Sequence, residues 1–354
     1  MILRDLIRVL GSNRRDGRNL TEAESYQAFS SILDGANSEV RVGAFLIAMR
    51  MKGPTVEELV GFARAVRDRA TLPCSGMPGL VAVCSPHEGF DRTPPLEVAG
   101  GLIAAAAGAR VLIVTDRCVP PRRGVTAASV LEHLGCGLTW DPREVEDWVV
   151  KTRFGAIAAV GMVPSLLGLR RIRGDIGVRT PLSTVEKLVV PRGSSVVLGA
   201  QSGPVLGVAV EVMQSLGHPS GMTVQGVEGG VMPTLTRKSR GIHLDGAHQV
   251  PMTIEPADFG FLDAEDPELP LFGPADEGRG AGDNPALVRA AGEVNEAVLA
   301  GQTGNARNAA LLTAAILLRT AGVSPTFADG VGRATEALDS GEASAILSRL
   351  RALV

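Results

Sequence analysis

Residues 20–70 read LTEAESYQAFSSILDGANSEVRVGAFLIAMRMKGPTVEELVGFARAVRDRA, and this stretch sets the architecture of the first part of the chain. Thr21-x-x-Glu24 is a capping box, in which the hydroxyl accepts from a free backbone N–H while the glutamate reaches back to the cap. Phe29, Ile32 and Leu33 then fall on one helical face, and Gly35 supplies the stop. A second helix is predicted over about 38–51, with Val42, Phe45, Leu46 and Met49 facing inward, until Gly53-Pro54 breaks it. Thr55-x-x-Glu58 opens a third, carrying Leu59, Phe62, Ala63 and Val66. Three short amphipathic helices joined by tight turns make a bundle-like unit.

Past residue 80 the pattern changes. Residues 80–84, 110–114, 156–160, 195–198 and 222–227 are short runs rich in β-branched side chains. Helical stretches at 96–107, 127–134 and 205–216 separate several of them. This alternation predicts a mainly parallel sheet flanked by helices, so the fold class is α/β beside a small helical domain. Ligands of such sheets sit at the carboxyl ends of strands. Residues 265–284, rich in Gly, Pro, Asp and Glu, read as a surface loop. Helices are expected to follow at 286–300, 306–321, 324–340 and 343–352.

Composition bounds the rest. The 354 residues are 45% hydrophobic and 21% charged, a globular balance, with aromatics at only 3%. A net charge of -3 argues against a surface built to wrap nucleic acid, which needs many phosphate contacts. Cys74, Cys84, Cys118 and Cys136 show neither C-x-x-C nor metal-finger spacing, as expected of free thiols in a reducing compartment. No signal peptide is apparent. The most apolar stretch, 98–114, is interrupted by glycines and Arg110 and reads as a buried helix and strand, not a membrane span. A cytoplasmic protein is expected.

The stretch 20–70 closely resembles the N-terminal helical domain of the anthranilate phosphoribosyltransferase family. AVLAGQTGNARNAALLTAAILLRTAG and ATEALDSGEASAILSRL resemble that family's C-terminal helices, and LEHLG at 131–135 and RGDIGVRT at 173–180 also have counterparts. The resemblance implies a helical domain over 1–72, with helices of about 164–188 packing on it, and an α/β domain over 73–354. It also implies a homodimer made through the small domain, whose apolar faces, exemplified by Phe45 and Met49, can serve core or interface.

Where that family carries its catalytic motifs, this sequence departs. The glycine-rich phosphate loop, G-T-G-G-D-G, is replaced by Ser85-Pro86-His87-Glu88-Gly89-Phe90, which keeps Gly89. N-x-S-T falls at Pro95-Leu96-Glu97-Val98. K-H-G-N is replaced near Thr115-Asp116-Arg117-Cys118, and the serine-rich phosphate loop by Pro120-Pro121-Arg122-Arg123-Gly124. The magnesium motif H-G-x-D-G-x-D-E becomes Gln225-Gly226-Val227-Glu228-Gly229-Gly230-Val231-Met232, with an apolar pair in place of the Asp-Glu pair. Magnesium wants carboxylate oxygens alongside substrate phosphates, so no cofactor is expected. On the acceptor side Arg173 and Arg179 match, while H-P becomes Val163-Pro164 and G-P-L becomes Glu186-Lys187-Leu188. The combination resembles a divergent branch of the family, some of whose members bind nucleic acid.

The candidate anion-binding residues are Arg173, Arg179, Arg122, Arg123, Gly89, Glu88 and Arg92, since guanidinium forks hold carboxylates and phosphates well. Arg170 shares a helical face with Arg173 while Arg171 diverges; the plainer reading of this basic group is a helix surface with ion pairs to residues such as Asp175, and Arg170 and Arg171 are expected at the surface. His87 with Glu88 offers an acid–base pair, against the plainer expectation of an exposed loop histidine. His243-x-Asp245-x-x-His248 offers metal-ligand types with no third histidine or cysteine. His133 is expected to be structural, and Asp116 and Glu228 to stand alone at strand ends.

Two functions stay open. One is a glycosyl- or phosphoribosyl-transferase using an altered donor, with arginines replacing metal in offsetting pyrophosphate charge. The other is a non-catalytic protein whose cleft arginines hold a small anionic or phosphorylated ligand, or single-stranded nucleic acid. Scarce aromatics count against the latter partner, whose bases need stacking platforms.

Overall fold

The computed structural model describes residues 3–11, 17–201, 203–272 and 279–354. Four helices open the chain: α1 (Leu3–Gly11), α2 (Glu22–Leu33), α3 (Glu39–Lys52) and α4 (Val56–Arg67). Both expected capping boxes form, at Thr21/Glu24 and Thr55/Glu58. Phe29, Phe45 and Phe62 lie together, with ring centroids 5.0 Å apart for Phe29–Phe62 and 6.0 Å for Phe45–Phe62. Phe45 and Met49 are fully buried within the chain, so both serve its core.

The α/β part runs β1 (Leu80–Cys84), α5 (Glu97–Ala106), β2 (Arg110–Thr115), α6 (Ala127–His133), α7 (Pro142–Thr152), β3 (Phe154–Ala158) and α8 (Ala159–Met162). It continues through α9 (Leu169–Ile176), α10 (Pro181–Lys187), β4 (Ser195–Ala200), α11 (Gly203–Ser215), β5 (Ser220–Gln225), β6 (Ser239–Asp245) and β7 (His248–Ile254). The strands form one sheet in the order β3-β2-β1-β4-β5-β6-β7. β1 to β5 are parallel and β6 and β7 antiparallel. Every residue of β1 is buried because helices cover both faces of the central strands. On one face lies α5, where a Cβ on Gly100 would sit 2.9 Å from the Thr313 methyl; glycine there lets α5 and a later helix approach closely. α9 and α10 lie against α3 and α4 of the helical domain.

Four helices finish the chain: α12 (Pro285–Leu299), α13 (Asn305–Thr320), α14 (Phe327–Asp339) and α15 (Glu342–Arg351). α14 starts later than periodicity predicts because Thr326 caps it, accepting from the Asp329 N–H. Among the described residues no helix is long and apolar enough to cross a membrane.

Several expectations need correction. β3 and β5 each lie about two residues earlier than predicted, since the chain turns into α8 at Ala159 and into a left-handed turn at Glu228 (φ 50°). The hairpin β6–β7 was not anticipated: β7 is an exposed edge strand with Pro251 inside it, so its alternation is weak. α1 and α7 were also unanticipated. The loop at 265–284 holds a short helical turn at Ala281–Asp283, and its residues 273–278 lie outside the described residues.

Candidate functional site

Strand order reverses its direction of growth between β1 and β4, with β2 and β3 on one side and β5 on the other. Successive crossovers leave this point in opposite directions, which opens a crevice at the carboxyl ends of β1 and β4. A cavity of about 500 Å³ occupies it. Its walls include Arg50, Pro54 and Leu59 from the helical domain, and Pro86, His87 and Glu88 from the loop after β1. Arg173, Arg179, Ser183 and Lys187 close another side, and Leu198, Val205, Val208 and Val212 make an apolar one.

The loops that resemble phosphate cradles face each other. Phe90 and Val125 exchange two backbone hydrogen bonds of 2.8 Å, and the Gly124 N–H donates to the Glu88 carbonyl at 2.7 Å. Gly89 (φ 73°) fits because nothing larger would: a Cβ there would lie 2.4 Å from the Gly124 carbonyl carbon. The next three amides, of Asp91, Arg92 and Thr93, converge on the Glu228 carboxylate at 3.1, 3.1 and 3.0 Å. The Thr93 hydroxyl adds a fourth donor at 2.8 Å. Consecutive N–H groups arranged this way form an anion nest. Its occupant is a carboxylate of the protein itself.

A ladder of alternating charges runs behind the loops. Asp116 accepts from Arg170 at 2.6 Å, and Arg170 also donates to Glu186 at 2.9 Å. Arg173 bridges Glu186 and Glu88, the latter at 2.7 Å, and Glu88 accepts in turn from Arg179 and from Ser183. Arg173 also donates to the Pro120 carbonyl at 3.0 Å. Burial alone would push the Glu186 carboxyl up, but Arg173 and Arg170 outweigh it and hold the group below its ordinary value. For Asp116 the balance reverses: burial dominates and raises it, with Arg170 opposing.

The singled-out residues therefore divide. Glu88, Arg173 and Arg179 line the cavity; Gly89 lies between the two loops. Arg92 and Arg122 line a second cavity of about 540 Å³, with Asp91, Glu268 and Arg279. Arg123 is held by Asp283 in a two-bond fork at 2.7 and 2.8 Å. Arg122 donates to the Gly89 carbonyl at 3.0 Å and lies 3.3 Å from Asp91 and 3.6 Å from Glu228.

Four expectations are overturned here. Arg170 is not a surface residue, because Asp116 and Glu186 draw it inward. For the same reason Asp116 does not stand alone, and neither does Glu228 in its nest. His87 is buried at 3% exposure rather than exposed, and both ring nitrogens lack partners. Burial holds its pKa down at about 3, reinforced by Arg170 and Arg173 and opposed by Glu186, 3.9 Å away. Arg171 is exposed and lies 3.6 Å from Asp175, as its helical position implies. His133 is exposed on α6, its ring against Gly292. His243, Asp245 and His248 fall on the β6–β7 hairpin, and no group of three metal-ligating side chains occurs among the described residues.

Lys187 and Ser183 escaped the sequence-level list of site residues, although the Glu186-Lys187 pair carried a signal. Two charges adjoining an apolar helix end are unlike a solvated turn. Lys187 is partly buried in the cavity wall, where burial and then Arg179 bring its pKa down to about 8.

Comparison with known proteins agrees over almost the whole length. The helical bundle domain of a glycosyl transferase family matches residues 11–70, and the a/b domain of that family matches residues 95–344. Anthranilate phosphoribosyltransferase of Geobacter sulfurreducens is 33% identical over 94% of this chain and 95% of its own. The Anaeromyxobacter dehalogenans enzyme is 31% identical, covering 95% of each. Among solved structures, the Thermus thermophilus anthranilate phosphoribosyltransferase is similar at a TM-score of 0.80 and 25% identity, over 99% of this chain and 98% of that one. The Saccharomyces cerevisiae enzyme, solved with PRPP and Mg, reaches 0.80 at 16% identity over 99% and 97%, a likeness of fold. A helical bundle and a doubly flanked sheet, matched in the same order and joined by one cleft, leave a single assignment: the chain belongs to the anthranilate phosphoribosyltransferase-like glycosyl transferase family.

Proposed function

We propose that this protein is a transferase-class member of its family with a remodelled donor site, whose interdomain cavity takes a small organic anion. The observation that carries this reading is the self-occupied cradle. Amides of 91–93 are bonded to Glu228, and those of Phe90, Gly124 and Val125 bridge the facing loops. A pyrophosphate needs such N–H groups free.

The magnesium fit points the same way. Val231 and Met232, where the resemblance places the carboxylate pair, are buried side chains without charge. Glu228 and Glu88 are already tied to amides and guanidinium groups. These residues do not fit the ion in the family's manner.

The cavity supports an anion of modest charge. Its lining carries the cations Arg50, Arg173, Arg179 and Lys187 against the carboxylates Glu88 and Glu228, with apolar walls for an organic body. Single-stranded nucleic acid receives no support from this geometry, since Arg123, Arg173 and Arg179 are each engaged by a carboxylate. A homodimer through the helical domain remains the family-based proposal, with exposed Val40 and Met51 on α3 as the apolar surface; light scattering giving a monomer mass would remove it.

The test is direct. Purified protein is mixed with anthranilate and magnesium phosphoribosyl pyrophosphate, following anthranilate fluorescence, with parallel calorimetric titration of the donor. No turnover and no saturable heat are expected. Robust turnover would refute the remodelled donor site.

A further inference from the structure

Each arginine of the buried ladder has a carboxylate: Arg170 meets Asp116 and Glu186, Arg173 meets Glu186 and Glu88, and Arg179 meets Glu88. Three guanidinium groups face three carboxylates, so the ladder is neutral. Lys187 is the surplus. It closes α10, lines the cavity, and makes no hydrogen bond or ion pair among the described residues.

The charged groups around Lys187 do not supply a partner. Arg179 and Arg122 oppose its charge, while Cys84 and Glu88 favour it; burial pushes the Cys84 thiol up to about 12, so it stays neutral, and Glu88 is already held by Arg173, Arg179 and Ser183. Glu97, on α5 behind β1, is buried and accepts from the Ser85 hydroxyl at 2.6 Å; burial raises its pKa, which favours the neutral acid. Arg50 adds a further cation on an exposed residue, donating to the Arg179 carbonyl. An ammonium beside Leu188, Leu198 and Val208 without a counter-charge is unfavourable, and a ligand anion relieves it.

The cavity wall also holds a neutral imidazole. His87 lines the cavity, is 3% exposed, and has neither ring nitrogen bonded. Unsatisfied buried polar groups are rare in proteins, and His87 keeps its nitrogens inside the wall, Nδ1 lying 3.9 Å from Glu186. A neutral imidazole presents one donor and one acceptor.

We propose that Lys187 is the receptor for the ligand's anionic group, so that the cavity takes a small organic anion of low charge. This deepens the reading of the cavity given above and rests on it. Lys187 and the more exposed Arg50 leave the cavity with a small positive surplus, less than the charge a pyrophosphate brings. On this account the arginines, which sequence alone favours as anion receptors, shape the chamber and Lys187 meets the ligand.

The experiment uses the full-length protein and calorimetry with benzoate, phenylacetate and butyrate, their neutral amides, and inorganic pyrophosphate. At least one carboxylate is expected to bind at pH 7, its amide roughly tenfold or more weaker, and pyrophosphate not to compete. Lys187→Met should weaken the carboxylate by at least about tenfold, and Lys187→Arg by less. Thermal unfolding without ligand keeps the variant interpretable. Lys187→Met should melt above wild type at pH 7, because it removes an unpartnered charge, and the difference should shrink by pH 10. Carboxylate binding unchanged in Lys187→Met overturns the assignment of Lys187 while leaving the anionic cavity standing. No binding by any carboxylate overturns both. A destabilised Lys187→Met at pH 7 also counts against the proposal, since it would mean the ammonium is already satisfied.

Discussion

Removing the Glu228 side chain tests the self-occupied cradle most directly. In Glu228→Ala the N–H groups of Asp91, Arg92 and Thr93 and the Thr93 hydroxyl lose their common acceptor in a place only 6% exposed at Glu228. Hydrogen bonds to a charged group contribute about 1.5–3 kcal/mol each and are not additive within one carboxylate, so the expected loss is about 3–5 kcal/mol. For a chain this long that lowers Tm by on the order of 6–10 °C. The vacated nest should then take an external anion. With a Kd of about 1 mM, about 20 mM phosphate would restore roughly 2 kcal/mol by mass action. Glu228→Gln keeps one acceptor oxygen and fills the space, so it should lose about half as much and gain nothing from phosphate. Glu228→Gly should lie about 1 kcal/mol above the alanine variant, because it removes the side chain from a left-handed backbone position. Differential scanning fluorimetry with and without phosphate, at constant ionic strength, reads all of these. An unchanged Tm in Glu228→Ala, or phosphate stabilising wild type as much as the variant, would refute the reasoning.

Two further outcomes follow from the charge ladder. Arg173→Met leaves two buried carboxylates, Glu88 and Glu186, with one guanidinium each and should cost about 3 kcal/mol in urea unfolding, whereas Arg123→Ala breaks a half-buried pair and should cost at most about 1 kcal/mol. The reverse ranking would show that the ladder is not what holds the cleft. His87, with an ordinary pKa of 6.5, sits at about 3 when folded, so from pH 6.5 downward the unfolded chain takes up a proton that the folded chain refuses. Stability should fall as pH drops through that window, less steeply in His87→Leu, which should be neutral to stabilising at pH 7. His218, depressed to about 4 by burial and then by Arg67, keeps some of the slope in the variant. Identical profiles for wild type and variant, from urea midpoints at pH 7 and 5, would count against a refused proton at His87.

The elements legible in the sequence were those with strong local signals. Thr21, Thr55 and the glycines after each helix mark boundaries in the helical domain, and the buried run at 80–84 has no period but its own apolarity. β7 was illegible because an edge strand with a proline and exposed side chains carries little alternation. At the site, the loss of glycines and carboxylates from family-like motifs could be read residue by residue. What replaced them could not, since partners such as Glu88–Arg173 and Asp116–Arg170 lie 85 and 54 residues apart. Basic residues near a cleft look alike in sequence whether they face a ligand or a glutamate. His87 was misjudged for the same reason: only the packing of facing loops reveals that a loop residue is interior.

Three carboxylates come from three separate segments, Glu88 and Glu228 into the cleft wall and Glu186 just behind it, and each meets donors suited to an anionic ligand. That coincidence has an electrostatic consequence. Glu88 and Glu228 repel a polyphosphate placed beside them, and the arginines that offset them are already engaged and so offer it less attraction than free guanidinium groups would. The polyphosphate would also have to break the Glu228 nest and part the backbone bonds between Phe90 and Val125 to reach any amide. A ligand held by Lys187 need not break the nest or part the loops: it shares the cavity with Glu88 and Glu228 but meets apolar walls and a positive surplus there. On the proposed reading, the cleft would select by net charge, with weakly charged anions preferred to polyphosphates.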